Sequence, residues 1–155
     1  MSHWMWAVPL AGILSTAVVF GTDMFFLTIG RSALKRASIA ATTEVMGFFH
    51  LFADARMPFW GILAILSNLS LTVFSPNGRH WYYLTSLLML IAFVIVYNLL
   101  AKPINLQQTE AAKTGATLSN GRELQEAWDR LLLIRVPLLV ASLLAQCLAL
   151  LFAST

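Results

Sequence analysis

The stretch WYYLTSLLMLIAFVIVYNLLA, residues 81–101, decides the fold. It runs for 21 residues without a charge. Coiled as an α-helix it is about 31 Å long, the thickness of a bilayer's hydrocarbon core. Lys102-Pro103 closes it on one side and Arg79-His80 on the other. Working outward, three further runs have similar length and polarity. One covers Trp6 to Ile29 and is interrupted by Thr16, Thr22 and Asp23. Another covers Met57 to Phe74, with Pro58 in its first turn, where a missing N–H costs nothing if the helix begins there. The last covers Leu131 to Ala153 and carries Arg135 and Pro137.

The composition agrees. Hydrophobic residues make up 59% of the 155-residue chain and charged ones 11%, against about 25% in soluble domains. A disordered tail and an ordinary soluble enzyme are thereby excluded. The single Cys147 allows no intrachain disulfide and no Cys-x-x-Cys site. The net charge of +3 comes from cations spread through the gaps between apolar runs, so it marks no nucleic-acid surface. Met1 to Trp6 contains no Lys or Arg, and the first run exceeds a signal-peptide core, so it is expected to remain as a span. The expected fold is all-α. It is an integral membrane four-helix bundle forming one domain over residues 1–155, with an additional amphipathic helix before the second span.

Orientation follows from the cations. Arg31, Lys35, Arg36 and Arg56 lie in the first connection, and Lys102, Lys113, Arg122 and Arg130 in the third. These two connections share a side, which the positive-inside rule assigns to the cytoplasm, leaving both termini outside. A bacterial inner membrane is the expected location. Trp4, Trp6, Trp81, Tyr82 and Tyr83 are expected to form an outer aromatic belt, with Trp60 and Trp128 near the inner interface.

Ser38 to Arg56 is too apolar for a solvated loop and reads as a helix, either lying on the inner surface or running straight into the second span. The third connection, from Lys102, shows no clear period until Asn120. Asn120 with Glu123 has the spacing of a capping box, and Glu126 with Arg130 that of an i,i+4 ion pair. That helix is expected to continue into the fourth span. There, Ala141, Ala145, Ala149 and Ala153 make a small-residue stripe, suited to internal packing or to a homo-oligomer seam.

Charges within spans cost about 2.5–3.5 kcal/mol each, so each needs a role. Asp23 lies about 12 Å and Arg135 about 6 Å from the inner end of its span. Asn98, Asp54 and Arg56 fall near the same level. Two readings stay open: a buried Asp23–Arg135 ion pair with structural neighbours, or a polar pocket facing the cytoplasm. His50 and Asp54 share a helix face at i,i+4, which suits an acid/base histidine oriented by a carboxylate. His50, Glu44 and Asp54, with Asp23 in reach, are the candidate ligands for iron or another divalent ion, although Glu44 projects about 120° away from His50. A solvated His50 and Asp54 on a surface helix is the plainer alternative. His3 and His80 belong to the opposite side, which disfavours a bis-histidine haem. Dinucleotide, P-loop, zinc-protease and nucleophile-elbow motifs are absent.

Tyr97-Asn98-Leu99-Leu100-Ala101-Lys102-Pro103-Ile104-Asn105, followed by Trp128 and Arg135, resembles the anthrone oxygenase-like family of small four-span membrane proteins. Asn98, Pro103, Asn105, Trp128 and Arg135 match its pattern, with a longer Asn-to-Pro step here. The resemblance implies oxidation of an anthrone to an anthraquinone, without flavin or haem. On that reading His50, Asp54, Asp23 and Arg135 are the candidate catalytic residues, and Asn98, Asn105 and Trp128 the substrate-binding ones. The cofactor is then either none or a divalent metal such as iron. The competing expectation is a non-enzymatic membrane subunit or carrier of an apolar small molecule, with a structural polar cluster.

Overall fold

The computed structural model describes residues 4–75 and 78–152, with side chains from Trp6 onward. His3, Ala153 and the side chain of Trp4 therefore lie outside the described residues. The chain forms α1 (Trp4–Phe25), a π turn (Phe26–Gly30), α2 (Arg31–Arg36), α3 (Ile39–Phe74), α4 (His80–Val96), a second π turn (Tyr97–Ala101), α5 (Lys102–Thr114) and α6 (Gly121–Leu151). Each π turn joins its flanking helices without a break, so the eight elements make four rods. All four are long and apolar enough to cross a membrane. This is a membrane protein built as a four-helix bundle. With no water in hydrocarbon to satisfy backbone groups, an apolar run has only the helix available, and internal Pro9, Pro58 and Pro137 do not break it.

The rods form a closed ring in which α1 packs on α3 and α6, and α4 packs on the same two. At 36 residues α3 is about 54 Å long, well beyond the hydrocarbon thickness. The excess lies at one end, where α2, the first half of α3, α5 and the first turns of α6 gather most of the cations. We call this the basic end. One core cluster sits there, made of Phe26, Leu34, Met46, Trp128 and Leu132. A second, of Val19, Ala64, Leu90 and Leu139, lies deeper between the spans.

The third connection is not irregular: α5 is a 13-residue helix whose buried face is Asn105, Gln108, Thr109, Ala111 and Ala112. An inner face of amides, hydroxyls and methyls carries no apolar period. Of the two readings of Ser38 to Arg56, the continuous one holds, because α3 starts after Ser38 caps it and passes through Pro58. The third rod does not stop at Lys102-Pro103 but runs on from α4 through α5. The π turn before Pro103 absorbs the proline, with the Lys102 N–H reaching Tyr97 O five residues back. Asn120 makes no capping bond, since its backbone (φ −95°, ψ 15°) is outside the extended region a cap needs. Glu126 and Arg130 form no ion pair within 4 Å. Trp128 and Tyr83 are buried within the bundle rather than presented on its surface, while Trp81 is exposed. Ala145 and Ala149 are buried against the chain's own helices, so that part of the stripe packs internally.

Arg122, read from sequence as a topology signal, has a structural task. It donates to the carbonyls of Leu34, Lys35 and Ala37, closing the C-terminal end of α2. A cation there satisfies carbonyls that the helix itself leaves open.

Candidate functional site

A cavity of about 900 Å³ lies between the rods near the basic end. Its wall is largely apolar and aromatic, with Phe25, Phe26, Phe49, Met57, Ile62 and Phe93 among the lining residues. Arg135 and Trp128 of α6 form a buried back wall. On the side of α1 and α3 the lining residues Gly21, Phe25 and Ile62 are exposed, so the cavity reaches the lateral surface. Two glycines leave room there. A Cβ added at Gly21 or at Gly61 would meet nothing within 4 Å.

Arg135 and Asp23 meet in this cavity at 2.7 Å, both buried. The guanidinium also lies 5.2 Å from the centroid of Phe93, 5.9 Å from Tyr97 and 5.8 Å from Trp128. A carboxylate and three ring faces together replace the water that the cation has lost. The pair is not fully saturated. Arg135 Nε and Asp23 Oδ2 are buried with no hydrogen-bond partner in the protein.

Asp54 is held from the other side of the cavity. Tyr97 Oη donates to its Oδ1 at 2.6 Å, and Asn105 Nδ2 donates to both carboxylate oxygens at 3.1 and 3.3 Å. Asn105 Oδ1 in turn accepts from Trp128 Nε1 at 3.1 Å. Carboxylate oxygens accept, and the Tyr97 hydroxyl and the Asn105 amide both present donors to them. The π turn at Tyr97–Ala101 belongs to the same corner, a place where such turns recur in functional sites.

His50 reaches the site through a close crossing of α3 and α5. A Cβ at Gly47 would collide with the carbonyl of Gln108 and the methyl of Ala112, so only glycine permits this approach. Thr109 Oγ1 donates to Gly47 O at 3.2 Å and fastens it. One turn on, His50 Nε2 lies 2.8 Å from Gln108 Oε1, and the ring packs 5.4 Å from Trp128. Gln108 Nε2 then donates to Gln125 Oε1 at 3.4 Å, and Gln125 Nε2 to Asp129 Oδ1 at 2.9 Å.

Asp23, His50, Asp54, Trp128 and Arg135 all line the one cavity, and Asn98 does so with an exposed side chain bonded back to Val94 O. Asn105 stands behind Asp54. The expected orientation of His50 by Asp54 is not what the hydrogen bonds show. His50 is held by Gln108, and Asp54 by Tyr97 and Asn105. Glu44 is exposed. Among the described residues no three His, Cys, Asp or Glu side chains gather as a metal would require, so the proposed His50, Glu44 and Asp54 set does not fit a metal. His80 packs on Trp81 on the far side of the bundle. Comparison with family models, curated proteins and solved structures returns no match. The site's own geometry must carry the functional reading. Sequence reasoning missed Tyr97 as a hydrogen-bond donor, Gln108, Gln125 and Asp129. Tyr97 had a signal in its place beside Asn98, whereas Gln108 lies on α5, which has no apolar period, and Gln125 in the polar first turns of α6.

Further from the basic end the core turns polar again. Ser86 and Ser142 hydroxyls meet at 2.7 Å, and Gln146 Nε2 donates to Thr16 Oγ1 at 3.0 Å. The apolar layer of Val19, Ala64, Leu90 and Leu139 separates these groups from Asp23 and Arg135. They tie α1, α4 and α6 together by interhelical hydrogen bonds, which stabilise membrane bundles modestly.

Proposed function

We propose that this protein is a membrane-embedded, oxygenase-like oxidoreductase acting on an apolar aromatic or quinone-type substrate of the anthrone kind. The cations at the basic end support a cytoplasmic position for the cavity in a bacterial inner membrane, with both termini outside. One observation carries the reading: an aromatic-walled cavity within the spans whose polar corner combines a histidine, a caged arginine and a carboxylate. A cavity of this size suits a fused-ring molecule. Its lateral opening beside Gly21 and Gly61 suits a substrate dissolved in lipid.

An anthrone carries an acidic C–H opposite its carbonyl. Removing that proton gives an aromatic enolate that reacts with dioxygen, and one anthrone plus one O₂ yields one anthraquinone and one water. His50 is the best-placed proton acceptor, because Asp23 is committed to Arg135 and Asp54 to Tyr97 and Asn105. Arg135 stabilises the enolate oxygen, and a cation in a dry, preorganised setting is effective at that task. Trp128 and Phe26, edge to face at 5.2 Å, offer ring contacts to the substrate.

The test is oxygen uptake by purified protein in lipid vesicles supplied with anthrone. Uptake matched by anthraquinone formation, above protein-free vesicles, is the expected outcome. Anthrone that binds without oxygen uptake would instead support the carrier reading, for which a cavity alone suffices.

A further inference from the structure

We infer that Asp129, remote from the cavity wall, fixes the tautomer of His50 through two glutamines, placing the proton on Nε2 and the free lone pair on Nδ1. Its chemical consequence rests on the reading of His50 as the proton acceptor, but the tautomer itself does not.

The inference follows from the direction of three hydrogen bonds. Carboxylate oxygens accept, and Gln125 turns its NH₂ to Asp129 Oδ1 at 2.9 Å, among the described residues the only hydrogen bond to that carboxylate, whose Oδ2 is buried without a partner in the protein. That leaves Gln125 Oε1 pointing along the chain as an acceptor, and Gln108 must answer it with its own NH₂. Gln108 then presents Oε1 to His50, and a carbonyl oxygen accepts only, so Nε2 carries the hydrogen. Reversing Gln125 would set its Oε1 against the Asp129 carboxylate, and reversing Gln108 alone would set its Oε1 against that of Gln125. Bulk water has little access to relieve that conflict, since Gln108 is 1% exposed, Gln125 2% and Asp129 7%. In buried networks of this kind an unsatisfied group is expensive, so one polarity is held.

The lone pair available for chemistry is thus on Nδ1. Asp129 acts as a positioning residue, taking the part that a carboxylate bonded directly to a catalytic histidine usually takes. The relay spans α3, α5 and α6, so it also explains why α5 carries glutamine on its inner face where a leucine would pack better.

Solid-state NMR of ¹⁵N-histidine-labelled protein in bilayers reads this directly, since protonated and unprotonated ring nitrogens have well-separated shifts. The His50 signals are those lost in His50→Gln. Wild-type protein should show one His50 form, with Nδ1 unprotonated and Nε2 protonated. Asp129→Asn replaces an acceptor by a group that can also donate, so a second population with protonated Nδ1 should appear. Gln125→Met, which cuts the relay at its middle with similar volume, should do the same if Asp129→Asn fails to fold. A wild-type His50 protonated on Nδ1, or a tautomer unmoved in the folded variants, overturns the inference. A merely structural Asp129 would lower thermal stability and leave the shifts alone. No substrate is present in this experiment, so failure of the anthrone assay would leave the tautomer result standing.

Discussion

Placing an arginine within a membrane helix costs about 2.5–3.5 kcal/mol on insertion scales, and Arg135 recovers this through one carboxylate and three ring faces. Removing one partner of a buried pair strands the other charge. Asp23→Asn and Arg135→Gln should therefore each destabilise by about 3–5 kcal/mol, with the double variant far short of the sum. Unfolding of the single and double variants in bicelles checks this, and additive losses would contradict the coupling. At the same scale, His50→Gln should lower anthrone turnover by about 10²–10⁴-fold, the contribution usual for a general base, while thermal stability changes little. Asp23, Arg135, His50 and Asp54 were legible in the sequence because charged and ionisable groups near membrane spans demand a reason. The partners of His50 were not legible. Glutamines on a polar-looking connection carry no such alarm, and i,i+4 spacing alone wrongly paired His50 with Asp54.

At the scale of elements, the crossing of α3 over α5 decides whether the site assembles. Gly47 meets backbone and a methyl group there, neither of which is the mobile end of a long side chain. Gly47→Ala should accordingly destabilise by about 1–3 kcal/mol, the cost of overpacking, although alanine is the better helix former. Gly61→Ala, where a Cβ meets open space, should be neutral or stabilising. Thermal melts of the two variants side by side separate packing from propensity, and equal behaviour would remove the crossing from the account. The spans themselves were readable because lipid accepts any long apolar run, whichever face it presents. The π turns were not, since a five-residue repeat lasting one turn leaves no trace in a 3.6 period. Nor was α5, whose inner face is chosen for hydrogen bonds and close approach.

On the scale of the whole molecule, the basic end holds the first and third connections and the cavity, so the orientation of the chain decides which side of the membrane the cavity lies near. In a Cys147→Ser background, Ser119→Cys should stay unlabelled by an impermeant maleimide in intact cells and react in inverted vesicles. Labelling in intact cells would reverse the orientation. The central claim is that the cavity admits flat apolar molecules from the lipid, between α1 and α3. It is tested most directly on a variant that keeps Trp128 as its only tryptophan, since that side chain lines the cavity and is 4% exposed. Its fluorescence should be quenched by 1-bromonaphthalene dissolved in the bilayer and hardly by aqueous iodide. Gly21→Leu and Gly61→Leu should each suppress that quenching, whereas Leu88→Phe, on a surface away from the cavity, should not. Trp128 that bromonaphthalene fails to quench, or quenching that both glycine replacements leave intact, would contradict the account.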